Sequence, residues 1–415
     1  MNASGDLPTR KENFSEYVDK LKKFGILLTI ATFSIYFFRY TFSRFLPLPP
    51  ILLSNYTLLP IFILASGLYV YPRLYLPKVA VSLAGLFSLL VVYYGVTAIW
   101  SPLSTYAIRK SYLVSIRLLV LFLFCTIVVS SNEKRTKIFY LITLASSLLV
   151  TGLLLHEYLV VGEIVSEEFS NHYININRIL GLGIILSIFV ALKYKRLSLR
   201  AIITVTSLIN LYLMTQTGGR GPLIAVIGAT SIYGIWMSFL KNNNAKEMIK
   251  NGIILMGSIL CVIFFLFALF DGGKTIIRLT RLVHEPGGSV MVRIDMIVAS
   301  IGMFAQSPLL GHGAGAFQTL YSKPFQYPHN IFFELLVESG VIGLSLFICY
   351  ITYILLIIAR YGRRDPIQSG VILSLFVFFL LNAFVSSDIP GNAKLFIYSS
   401  TVLSLVRTAE ETQTT

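Results

Sequence analysis

Uninterrupted apolar stretches of roughly 17–25 residues recur along this chain, and no other feature restricts its possible folds as much. A stretch of that length crosses the hydrocarbon core of a bilayer as a helix, because a helix pairs every backbone N–H and C=O within the segment. About twelve such spans lie near 24–38, 51–70, 79–99, 112–131, 138–160, 176–192, 199–216, 222–240, 252–270, 340–359, 368–386 and 393–406. The first is short and the last contains serines. The expected fold class is therefore all-α, a polytopic integral membrane protein. Composition agrees, since 55% of the 415 residues are hydrophobic and only 13% are charged, against roughly 25% charged in a soluble domain. Too little polar surface remains to clothe a water-exposed globule.

A net charge of +15 would suggest nucleic acid as a partner for a soluble protein. Here topology accounts for it. With the N-terminus in the cytoplasm, Lys134, Arg135, Lys137, Lys193, Lys195, Arg196 and Arg200 all fall inside. So do Lys241, Lys246, Lys250, Arg360, Arg363 and Arg364, as the positive-inside bias requires. This gives a cytoplasmic tail over 1–23, spans one to nine over 24–270, an outer region over 271–339, spans ten to twelve over 340–407 and a cytoplasmic tail over 408–415. The polar opening 1–23 lacks the apolar core and small-residue cleavage site of a signal peptide. Cys125, Cys261 and Cys349 each sit inside an apolar run and read as small core hydrophobes.

Two outer segments interrupt the apolar pattern. His156 to Asn177 carries Glu157, Glu163, Glu167 and Glu168 and reads as a solvated loop. The region 271–339 is too long to be structureless without a function. Within it Val290, Ile294, Ile297, Ile301 and Phe304 repeat at helical spacing, with Arg293, Met296 and Ser300 on another side. That pattern predicts an amphipathic helix lying on the membrane or capping the bundle. Pro308 ends it, a glycine-rich turn follows at 311–317, and a second helix starts after Pro328-His329 with Asn330 as its N-cap.

Charge at membrane depth is costly and marks function. Arg220 lies in the turn Thr217-Gly218-Gly219-Arg220-Gly221-Pro222, where glycines let the backbone approach a ligand and its N–H groups cradle an anion. A guanidinium fits phosphate oxygens in a bidentate way that lysine does not. Arg293 stands on the outer helix with Asp295 two residues on, and positions two apart do not share a helix face. His329 can take a proton at neutral pH. Arg117 sits within an otherwise apolar run, Arg178 enters the sixth span from outside, Arg278 and Arg281 open the outer region, and His312 lies among glycines. These four arginines, His312 and Asn330 are candidate substrate-binding residues. The sequence contains no Asp-x-Asp, His-Glu-x-x-His, Cys-x-x-Cys or Walker loop, so neither a metal nor an organic cofactor is expected.

Taken in order, the motifs resemble the O-antigen ligase and O-antigen polymerase superfamily of bacterial inner-membrane glycosyltransferases. The pieces are Leu213-Met214-Thr215-Gln216-Thr217-Gly218-Gly219-Arg220-Gly221, Arg293 on its outer helix, Ser307-Pro308-Leu309-Leu310-Gly311-His312-Gly313 with Phe317, and the run from His329-Asn330 through Glu338, Gly340 and Gly343. Gly219 departs from the serine often found before that arginine. The resemblance implies a GT-C-type, metal-independent, inverting transferase in which Arg220 and Arg293 bind pyrophosphate and His329 is the catalytic base. It further implies an undecaprenyl-pyrophosphate-linked glycan as donor, a lipid A-core sugar as acceptor, membrane lipids as surroundings and a periplasm-facing site. The expectation is an O-antigen ligase. A polymerase joining lipid-linked repeat units, and a lipid-linked sugar transporter, are the alternatives.

Overall fold

The computed structural model describes residues 76–102, 104–161, 173–242 and 288–411, with isolated positions between 25 and 67 and between 246 and 257. The first, second and ninth expected spans, Arg278, Arg281, and residues 162–172 of the acidic outer stretch fall largely outside them, whereas 156–161 and 173–177, expected as loop, are helical. The described elements are all helical: α1 (Lys78–Val96), α2 (Thr105–Val129), α3 (Glu133–Val161), α4 (Tyr173–Lys193), α5 (Leu197–Gln216) and α6 (Arg220–Asn242). Then come α7 (Gly288–Gln306), α8 (Ala316–Leu320), α9 (Ile331–Tyr361), α10 (Pro366–Val385), α11 (Ala393–Ser400) and α12 (Leu403–Glu411). Eight of these, α1 to α6 with α9 and α10, are long and apolar enough to cross a membrane.

Helix α4 is the axis of the bundle, packing on α3, α5, α6 and α10. In its most apolar window 72% of residues are buried, against 33% for α1, α5 and α9, as expected of a helix that is hydrophobic all round. Gly181 and Gly183 make this possible, because a side chain at either would run into Val226 and Phe378, or into Ser147 and Asn210. Between apolar helices, hydrogen bonds supply the specificity. Thr151 donates to Asn210 Oδ1 at 2.5 Å, Tyr140 to Thr401 at 2.7 Å, and Ser147 to the Ile179 carbonyl at 3.0 Å.

The stretch expected as the last span is two short helices, α11 and α12, joined at Thr401 and Val402. Its serines explain the break. Ser399, Ser400, Thr401 and Ser404 each turn a hydroxyl back onto the carbonyl three residues earlier, a local bond that competes with the helical ladder.

On α7, Met291, Ile294, Val298 and Ile301 are exposed, whereas Met296 and Met303 pack inward on Phe317, Tyr321 and Val337. The apolar stripe thus faces away from the protein, and the side carrying Arg293 turns towards it. Helix α9 starts at Ile331 and runs through its junction with the expected tenth span, broken only at Gly340 (φ 63°, ψ −165°). The break releases backbone groups that the 308–313 turn takes up. His312 N–H donates to the Val337 carbonyl at 2.8 Å, Gly313 N–H to Glu338 at 3.0 Å, and Val341 N–H to Pro308 at 2.8 Å. A side chain at Gly340 would strike the Leu309 carbonyl.

Candidate functional site

Arg220 is the first residue of α6, at the positive end of that helix's macrodipole. The preceding turn is held from below by Asn177 of α4, which accepts the Thr217 hydroxyl at 2.7 Å. Gly218 has φ 88°, and a side chain at Gly219 would collide with the Asn177 amide. The Asn177 amide thus occupies the volume a serine at 219 would need, which is the physical reason for glycine there.

Arg293 faces the same place from α7. Burial lowers its pKa first; Tyr173 at the head of α4 partly offsets this and the Arg220 guanidinium adds to it. The Arg220 charge thus reaches Arg293 across two helices. Asp295 does not neutralise Arg293, since it pairs with Lys323 at 2.8 Å.

His329 completes the group. Its backbone is left-handed (φ 56°), a conformation that histidine, asparagine and aspartate tolerate better than most residues. That turn places the ring edge-on to Tyr327, centroids 4.6 Å apart, with Nδ1 buried and lacking a hydrogen-bond partner among the described residues. Burial, and after it Arg293, push its pKa down to about 4, while Asp388 pulls the other way. The imidazole is therefore neutral at neutral pH, with a lone pair to offer.

Asp388 was not singled out from the sequence. It lies in the loop between α10 and α11, where it accepts the Gly391 N–H at 2.8 Å and the Tyr106 hydroxyl at 3.5 Å. Its charge also helps raise the Tyr327 phenol to about 12, after burial as the main cause. Ser386-Ser387-Asp388-Ile389-Pro390-Gly391 reads as an ordinary turn, and nothing local tells which histidine folding brings near it. Lys110 and Glu334 are not among the candidates read from the sequence, and Glu338 enters there only as part of the motif run; all three fall outside the apolar spans drawn from the sequence.

The remaining candidates take other places. Arg178 is 2% exposed and donates to the Asn382 side chain and carbonyl at 3.4 Å, the Ser386 carbonyl at 3.3 Å and Asn392 Oδ1 at 3.1 Å. It clamps the C-terminal carbonyls of α10 to the Asp388 loop. Asn330 caps α9, accepting from Phe332 and Phe333 N–H at 3.0 and 3.3 Å, and its amide donates to the Phe384 carbonyl at 3.0 Å. His312 Nε2 meets the Met303 carbonyl at 2.7 Å, fastening the glycine turn to α7. Arg117 sits half-buried in a π-helical turn of α2, Leu113–Leu118. Among the described residues, no three His, Cys, Asp or Glu side chains gather as metal ligands.

Comparison with known proteins bears on the same segment. No curated protein matches the chain. Residues 202–348 match the family model described as O-Antigen ligase, an interval that begins in α5, ends in α9 and contains Arg220, Arg293 and His329 together with the turns that place them. With eight membrane-length helices among its described residues, this is a multi-pass membrane protein whose segment 202–348 is similar to the O-antigen ligase family.

Proposed function

We propose that the chain transfers a glycan from a polyprenyl diphosphate, undecaprenyl pyrophosphate by family resemblance, to a lipid A-core sugar at the outer face of the inner membrane. What supports this reading is electrostatic: the Arg220 charge, at the start of α6, acts on Arg293 of α7, and the Arg293 charge acts on the neutral, partly buried His329 before α9. Arg220, Arg293 and the α6 N-terminus hold the diphosphate. The acceptor hydroxyl oxygen attacks the anomeric carbon from the face opposite the diphosphate. The C–O bond to the diphosphate breaks, its electron pair leaves with the phosphate oxygen, and His329 takes the hydroxyl proton. The anomeric centre inverts.

The arginines favour this step because they are already in place when charge develops on the leaving group, in a setting poorer in water than bulk solvent. A lipid-linked donor also suits the location, since its tail stays in the bilayer while its sugar reaches water. The exposed apolar stripe of α7 would lie against the headgroup region beside that donor. Residues 271–339 then form the outer catalytic region, Arg178, Asn330 and His312 serve as its framework, and Arg278 and Arg281 stand as candidate donor contacts.

The test is purified protein in lipid nanodiscs with a glycan-diphosphate-lipid donor and a core glycolipid acceptor. Wild type forms product, and Arg220→Ala and Arg293→Ala each lose roughly 100- to 1000-fold in kcat while folding normally. Near-normal transfer by both variants would overturn the leaving-group role. Deleting the gene separates ligase from polymerase. Lipid-linked polymer that persists with none attached to the core supports the ligase, whereas a single attached repeat unit supports the polymerase.

A further inference from the structure

A second group of charged side chains lies just inside the site and takes no part in the chemistry above. Lys110 of α2 is 1% exposed, and its ammonium meets Glu334 Oε1 at 2.5 Å and Glu338 Oε1 at 2.6 Å, both glutamates being fully buried. Tyr94 of α1 donates to the other Glu338 oxygen at 2.5 Å. A buried ion cluster of this kind is weak evidence for stability, because desolvation offsets most of the Coulombic gain. Its geometry indicates what else it does. The Glu334 oxygen that meets Lys110 also accepts the Ile389 N–H at 3.1 Å. One helical turn before Lys110, Tyr106 reaches Asp388. Helix α2 therefore grips the 386–392 loop at two consecutive residues, by Tyr106 at Asp388 and by Lys110 through Glu334 at Ile389.

Glu334 is five residues after His329 and belongs to the first turn of the helix that His329 introduces. One carboxylate thus ties the histidine's helix to the loop that carries Asp388. We propose, building on the glycosyl-transfer reading, that Glu334, oriented by Lys110, is a positioning residue that fixes Asp388 relative to His329.

The electrostatic groups acting on His329 are Arg293 from α7, which disfavours its protonated form, and Asp388 from the loop, which favours it; Tyr327 packs on the ring. If Glu334 sets the Asp388 distance, releasing the loop weakens that support. Glu334→Leu removes the acceptor for Ile389 yet leaves Lys110 balanced by Glu338, so no lone charge is buried. Glu334→Gln keeps a carbonyl oxygen for the Ile389 N–H and serves as the conservative rescue.

The experiment follows the titration of His329 in full-length protein in nanodiscs, by NMR of ring-labelled histidine with His329→Asn assigning the signal, alongside transfer kinetics. Glu334→Leu is expected to lower the His329 pKa and to cut kcat by roughly 10- to 100-fold, the scale of an ångström-sized misplacement, with donor KM within about twofold because neither arginine is on this loop. Glu334→Gln restores both readouts. An unchanged His329 titration in Glu334→Leu, or a Glu334→Gln variant as impaired as the leucine, overturns the positioning role. If the titration moves as expected while wild type transfers no glycan, the positioning stands and the transferase reading falls.

Discussion

His329 combines a strained backbone with a ring whose ionisation is set by its neighbours, and the two can be tested apart. An alanine at φ 56° would add strain of about 1–2 kcal/mol on top of the lost imidazole. Asparagine accepts the same backbone, so His329→Asn isolates the chemistry. It should lower kcat by roughly 100- to 10,000-fold, the usual share of a general base, with an unchanged melting temperature; a rate within tenfold of wild type would remove His329 from the mechanism. The pH dependence follows from sign. The competent base is the neutral ring, so activity is lost as pH falls through the His329 pKa, about 4 in the empty site. Arg293 contributes to that depression, and a diphosphate seated between Arg293 and Arg220 offsets it and raises the pKa. The acid limb of kcat, which reports the complex, should therefore lie at higher pH than that of kcat/KM, which reports the free protein. In Arg293→Ala the kcat/KM limb should itself move upward, at much reduced rate. A limb that stays in place would mean another group titrates.

At the scale of elements, the helix ends were the most legible features and the breaks the least. Asn330 reads as a cap from sequence because an amide before an apolar helical run is a local signal, and the structure shows that cap. The turn of α7's apolar stripe away from the protein was half visible: the stripe itself is periodic, but which side meets the bundle depends on Phe317, Tyr321 and Val337, distant in sequence. The break at Gly340 was not visible, because its cause is the partner turn at 308–313. Gly340→Ala should cost about 1–3 kcal/mol for a backbone that only glycine adopts freely, with the Leu309 carbonyl contact adding to it. A thermal melt checks this, with Gly302→Ala as the control, since nothing lies within 4 Å of a side chain added there. Equal melting of the two variants would show that the break is relaxed.

Across the whole molecule, apolar length and basic loops carry most of what the sequence reveals. Membrane-length helices are a property of composition, and the orientation proposed from Arg360, Arg363 and Arg364 needs only their clustering. In a cysteine-free background, Arg363→Cys should react with an impermeant thiol reagent only when the inner face is open, and Lys323→Cys only from outside. Both positions are exposed, and labelling of both from one side would refute the topology. Relations such as the Asp388 charge acting on His329, or the Lys110 pairing with Glu334, could not be read this way, because each joins residues more than fifty apart and no periodicity encodes them. The interlock between the 308–313 turn and the broken α9 has its own consequence for how such chains can diverge. Neither half has a complete set of backbone partners alone, so a hybrid that swaps just one half between relatives should misassemble, while transplanting 307–343 as a block should be tolerated.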